Sequence, residues 1–216
     1  MRLVDLSVPI TSGMGTFAGT PPVFVHESHS LGCAGYRMSL VVFGNHSGTH
    51  LDAPSHFVAE GGSVDEIPLE RCAGEAIVRH IPKQPLEPIT IEDIGNVTEG
   101  TRVLIRTGWD VHLGTDEYFT DFPPLAPEAA DWLAERRIWL LGVDIPSLHQ
   151  TEFARMHEVL LEARVVIVES LVNLAALQSS RVLFSALPLK LAGADGAPVR
   201  AVAYDGIPTF ETETAA

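Results

Sequence analysis

Any fold open to this chain must accommodate the segment His46-Ser47-Gly48-Thr49-His50-Leu51-Asp52-Ala53-Pro54-Ser55-His56, which packs three imidazoles and one carboxylate into eleven residues of a chain with nine histidines. His46 and His50 stand four apart, so one turn of helix or a tight loop lets both ring nitrogens converge on a single ion. Asp52 adds a hard oxygen donor. A His/His/carboxylate set suits Zn²⁺, Mn²⁺ or Fe²⁺, and three protein ligands leave positions open for water or substrate, as at catalytic rather than structural metal sites. His56 lies just beyond, available for proton transfer, although proximity alone does not separate that role from a further ligand or a structural hydrogen bond. Gly48 and Pro54 mark the segment as a shaped turn, because glycine permits backbone conformations closed to other residues and proline fixes one. Nothing in such a turn requires three histidines.

With 216 residues and no Ser/Gly-rich or charged linker, the chain reads as one domain over residues 1–216. Its 14 basic and 28 acidic residues leave a formal net charge of -14, which repels phosphate backbones and anionic membranes and argues against a nucleic-acid or membrane partner. Two cysteines, Cys33 and Cys72, are too few for a disulfide scaffold and are expected as free thiols. The N-terminus carries Asp5 where a signal peptide needs an uninterrupted apolar run, and no stretch reaches membrane-spanning length. These features together predict a soluble, cytoplasmic protein.

Short β-branched or apolar runs at residues 2–6, 23–26, 38–43, 76–81, 102–106, 138–143, 165–168, 182–191 and 199–204 predict strands. Amphipathic stretches at 127–136, where Pro127 suits a first helical turn, and at 152–163 predict helices in the second half. The result is a mixed α/β fold with more sheet than helix, ending in an acidic tail, 211–216, expected to fray. On this map the histidine turn directly follows the strand at 38–43, so its side chains project from the end of a rigid element. His157 falls in the second helix and Glu169 closes the apolar run at 165–168. A carboxylate there either pairs with a cation or emerges into solvent.

The signature His-x-Gly-Thr-His-x-Asp-x-Pro-x-His formed by His46, Gly48, Thr49, His50, Asp52, Pro54 and His56 resembles that of the cyclase family of metal-dependent hydrolases, which includes bacterial formamidases and isatin hydrolases. Further blocks fall in family order: Asp5-Leu6-Ser7-x-Pro9-Ile10, Gly142-Val143-Asp144-Ile145-Pro146-Ser147, and the stretch from Leu187-Pro188-Leu189-Lys190-Leu191 through Gly193, Asp195 and Gly196 to Pro198-Val199-Arg200-Ala201. The resemblance implies a compact β/β/α domain with a barrel-like mixed sheet, assembled as dimers or tetramers. It implies one or two divalent ions per subunit, Zn²⁺ or Mn²⁺, held by His46, His50 and Asp52 and, at the second position, by His157 and Glu169, with His56 as the proton carrier. Formamidases of the family place an aromatic, usually Trp, before Pro-Gly-Asp near the N-terminus. This chain reads Phe17-Ala18-Gly19-Thr20-Pro21, so Phe17 keeps a ring that can stack on substrate but lacks the indole donor.

The expected chemistry is hydrolysis of an amide, formamide, lactam or ester of a small, aromatic substrate, with His56 delivering a proton to the leaving atom. The same Lewis acid also suits cyclisation or dehydration of a natural-product intermediate, and a non-catalytic metal-binding scaffold is the reading outside enzymes. Thr49 is expected to brace the turn or a ligand. His26, His29, His80, His112 and His149 read as polar surface residues. Tyr36 and Trp109 are candidate pocket aromatics with core packing as the ordinary alternative. Asp144 and Asp195 read as turn or hydrogen-bonding residues, with no histidine or nucleophile at useful spacing.

Overall fold

The computed structural model describes residues 1–206, so the tail at 211–216 lies outside the described residues. Its strands are β1 (Arg2–Asp5), β2 (Phe24–His29), β3 (Met38–Val42), β4 (His50–Asp52), β5 (Ala73–His80), β6 (Arg102–Arg106), β7 (Leu140–Val143), β8 (Val166–Glu169), β9 (Arg181–Ser185), β10 (Gly196–Pro198) and β11 (Val202–Asp205). Nine form one mixed sheet in the order β1-β11-β9-β5-β6-β7-β8-β4-β10, while β2 and β3 pair only with each other. The centre, β5 to β8, is parallel. There Val103, Ile105, Leu141, Val143 and Ile167 pack on one side and Leu104, Leu140, Val166 and Val168 on the other. Burial on both faces is why these strands read as continuous apolar runs rather than alternating ones.

Two helices cover the first of those faces. Pro127–Glu135 begins with proline in its first turn and buries Ala129, Ala130, Leu133 and Ala134. Phe153–Glu162 buries Met156, His157, Leu160 and Leu161, so His157 lies on the stripe facing the sheet. No helix among the described residues is long and apolar enough to cross a membrane.

The sheet is strongly curled, and chain connectivity requires it. β10 closes one end of the strand order and β11 lies next to the other, yet residues 199–201 alone join them. A flat sheet would hold these strands more than about 30 Å apart at the usual strand spacing, whereas so short a link spans at most about 14 Å. Hydrogen bonds seal the seam: Leu6 N donates to Ala201 O at 2.9 Å and Val172 N to Leu6 O at 3.0 Å.

Two sequence expectations change, and two strands had no expectation. The run at 182–191 is a strand only to Ser185, after which Leu187, Leu189 and Leu191 are exposed. β4 and β10 carry no periodic signal, being three residues each. The strand at 38–43 does not present the histidine turn: β3 belongs to an exposed ribbon, and the nine-stranded sheet itself carries the site through β4.

Candidate active site

β4 sits between β8 and β10, with His50 opposite Glu169 and Asp52 opposite Gly196. The two-residue repeat of a strand puts His50 and Asp52 on one face and sends Leu51 into the core, and direct pairing places Glu169 beside His50. His46 reaches the same face from the preceding turn, where Gly48 takes a φ of 64°, open to glycine at little cost. Thr49 braces that turn. Its Oγ1 accepts from Val8 N at 2.9 Å and donates to Ser170 O at 2.6 Å, tying the N-terminal segment to the end of β8.

The donor atoms of five side chains converge. Asp52 Oδ1 lies 2.8 Å from His46 Nδ1 and 3.5 Å from His50 Nε2, which is 3.4 Å from Glu169 Oε2. On the other side, His157 Nε2 lies 3.0 Å from Glu169 Oε1 and 3.5 Å from Asp52 Oδ2. The remaining nitrogens of two rings face backbone carbonyls, His50 Nδ1 at 2.8 Å from Gly48 O and His157 Nδ1 at 2.7 Å from Phe153 O. A carbonyl only accepts, so Nδ1 carries a hydrogen in both rings, and Nε2 is the nitrogen turned toward the carboxylates. His50, Asp52, His157 and Glu169 are all buried, which excludes the solvent-facing alternative for Glu169.

The cluster is electrostatically tense. Burial alone would raise the Asp52 carboxyl, but the hydrogen bond from His46 and the charges of three imidazoles hold it below the usual carboxylate range. Burial would likewise raise Glu169, and hydrogen bonds from His157 and His50 lower it. The imidazoles move the other way: against desolvation, Asp52 and Asp195 raise His46 to about 9, and Glu169 raises His157 to about 8. Cations are in demand here.

His56 stacks on His46 with ring centroids 3.9 Å apart. Burial holds its imidazole below the ordinary value. Its Nδ1 lies 2.8 Å from Asp195 Oδ2, an oxygen also 3.0 Å from His46 Nε2. Asp195 therefore has histidine partners after all. Sequence reasoning missed them because they lie 139 and 149 residues away; the Asp-Gly of its family block was the available signal. Asp144, by contrast, accepts from Thr107 and Gly108 and supports a turn.

Beside the cluster opens a cavity of about 380 Å³, within the usual range for small-ligand sites. His46, His50, His56, His157 and Glu169 line one wall, and Phe17, Phe57, Phe119 and Phe153 contribute aromatic surface. Phe17 packs edge-on to Phe119 and Phe153 at 6.5 and 6.4 Å. Tyr36 is not at this cavity; it stacks on His29 near the exposed ribbon. Trp109 is buried and donates to Tyr118 O at 3.0 Å, a core role. His112 stacks on Trp109, and none of His26, His29, His80, His112 or His149 enters the cluster.

Fold and site together define a mixed α/β protein whose sheet carries a buried imidazole–carboxylate cluster at the mouth of an aromatic cavity. The model of one family, described as putative cyclase, matches residues 4–150, and the chain belongs to that cyclase family. Kynurenine formamidase of Bordetella petrii is 34% identical over 208 residues, covering 93% of this chain and 97% of that protein. Kynurenine formamidase of Bacillus cereus is 35% identical over 205 residues, covering 92% and 95%. Among solved structures, isatin hydrolase A from Labrenzia aggregata bound to benzyl benzoate aligns with a TM-score of 0.84 at 27% identity over 94% of this chain and 93% of the other. A potential metal-dependent hydrolase with cyclase activity aligns at 0.81 and 29% identity over 96% and 99%. The barrel-like mixed sheet expected from the resemblance is the fold observed.

Proposed function

We propose that this chain is a metal-dependent hydrolase cleaving the amide, formamide or lactam bond of a small aromatic substrate. The observation that carries the reading is the convergence of donors in two sets that share Asp52, one of His46, Asp52 and His56 and one of His50, Asp52 and Glu169, with Asp52 Oδ2 buried and without a hydrogen-bond partner among the described residues. Donor separations of 2.8–3.5 Å fit atoms sharing an ion at bond lengths near 2.0–2.2 Å. His46, His50 and Asp52 would hold one divalent ion, and His157 and Glu169 would hold a second beside it. Zn²⁺ and Mn²⁺ both accept this donor set. When bound, such an ion polarises a carbonyl and brings water toward ionisation at neutral pH.

The protein supplies the rest. His56 faces the cavity and carries a proton from attacking water to the leaving nitrogen. Phe17 and its neighbouring rings stack on the substrate's aromatic face and exclude water. The relatives' names support the substrate class, since kynurenine formamidase and isatin hydrolase both denote an acylated nitrogen on an aromatic ring. Exposed Phe24, Val25, Leu40 and Val41 on the β2–β3 ribbon support assembly with further copies of the chain, as a dimer or tetramer. Unpaired cysteines and acidic surface suit a cytoplasmic protein without nucleic-acid or membrane partners.

The test is a screen of aryl formamides and lactams with metal-loaded protein, with metal content measured on the same sample. Turnover lost on chelation, with a product heavier by one water, is expected. Product formation without water uptake would replace hydrolysis by cyclisation, and turnover indifferent to chelation would overturn the metal reading.

A further inference from the structure

Asp195 occupies the turn before β10, and its backbone is fixed there because Ala53 N donates to Asp195 O at 2.9 Å. The side chain is held as well: Oδ1 accepts from the Asn45 side-chain amide. That leaves Oδ2 aimed between two stacked rings, 2.8 Å from His56 Nδ1 and 3.0 Å from His46 Nε2. An ionised carboxylate only accepts, so each nitrogen facing it must carry a hydrogen. His56 then keeps its Nε2 free of hydrogen. His46 holds one hydrogen on Nε2 toward Asp195 and one on Nδ1 toward Asp52, and the second is the one a metal ion would displace.

We infer that Asp195 is a positioning residue, using one carboxylate oxygen to set the tautomer and orientation of both a metal-binding imidazole, His46, and the proton carrier, His56. The inference rests on the metal-dependent hydrolase reading. Without Asp195, His56 is free to take the opposite tautomer, in which Nε2 offers a hydrogen where an acceptor is needed to receive one from water. His46 is simultaneously free to turn its Nδ1 away from Asp52. One side chain therefore couples metal retention to proton transfer, although it does not line the cavity. Partners of this kind typically influence affinity or activity by about 10–100-fold.

The test uses protein loaded with Zn²⁺, a diamagnetic probe, and long-range nitrogen–proton correlation spectra of the histidine side chains. In the wild type, hydrogen on His56 Nδ1 and His46 Nε2 is expected. Asp195→Asn should move the His56 hydrogen toward Nε2, weaken zinc binding roughly 10–100-fold and lower kcat by a similar factor with KM little changed. Asp195→Glu, which retains a carboxylate, should restore part of each. Zinc bound with His56 protonated on Nε2 in the wild type overturns the role of Asp195 alone, without recourse to any variant. An Asp195→Asn protein that melts lower but keeps kcat and both tautomers does the same. Zinc that shifts no imidazole resonance overturns both this role and the metal reading.

Discussion

Gly196→Ala is the sharpest steric test of how the sheet holds its donors. Gly196 opens β10 directly opposite Asp52, and its φ lies outside the left-handed region, so alanine is acceptable to the backbone. Space is the obstacle. A β-carbon there would stand 2.6 Å from His46 Cε1 and 2.8 Å from the Leu51 carbonyl oxygen. Ordinary contact begins near 3.4 Å, so the His46 ring or the strand must retreat by about 0.8 Å. β10 cannot slide away without giving up its pairing with β4, so the ring is the easier part to move, and the remaining clash with the Leu51 carbonyl strains the β4–β10 pairing. Misplacement on this scale costs about 10²-fold in rate, and overpacking typically costs about 1–3 kcal/mol of stability. kcat/KM, metal titration and thermal melting should together show a folded protein, slightly less stable, with weakened metal binding and turnover down about 100-fold. Gly32→Ala, where a β-carbon meets nothing within 4 Å, is the neutral control. Wild-type kcat/KM and full metal content in Gly196→Ala would refute the close fit between His46 and β10.

His56→Ala should keep its metal and lose about 10²-fold or more in turnover, the scale of a lost general acid/base, whereas His50→Ala should lose metal and activity together. An emptied site in His56→Ala would make His56 a ligand. Burial pushes the Cys72 thiol up to about 11 while Cys33 is exposed. A thiol reagent at pH 8 should therefore titrate one cysteine in folded protein and two after denaturation; prompt reaction of both when folded would contradict that burial. Burial also raises the Asp144 carboxyl to about 6 from 3.8, against hydrogen bonds from Thr107 and Gly108. The folded protein then binds this proton more tightly than the unfolded chain. The stabilisation is complete below pH about 4 and lost as pH rises through about 6, some 3 kcal/mol in all. Urea titrations should show the wild type losing ground to Asp144→Asn across that window, and a pH-independent gap would count against it.

Local signals were legible and long-range ones were not. The run at 102–106 is β6 as read, and Pro127 starts a helix, because a doubly buried strand and a proline-led first turn leave their marks in neighbouring residues. The grouping of His46, His50, Asp52 and His56 was visible because one short segment carries all four. His157 and Glu169 were reached through family resemblance, with composition leaving Glu169 open between cluster and solvent. β4 and β10 escaped because His-Leu-Asp and Gly-Ala-Pro are too short for any periodicity and owe their extended form to flanking strands. Asp195 looked isolated for the same reason: its partners become neighbours only after β10 docks on β4.

The curled closure of the sheet orders events in time as well as space. All of His46, His50 and Asp52 emerge early in synthesis, but Glu169 and Gly196, the residues their strand pairs with, come more than a hundred positions later. Contacts across so long a stretch of chain form slowly, after local helices and turns. A nascent chain that has not reached β10 carries the early donors with no frame to hold them. With the ligand set proposed above, metal acquisition would be a closing step of biogenesis, reporting that the last strands have docked, and a chain released short of β10 should fail to retain the ion despite possessing every candidate ligand.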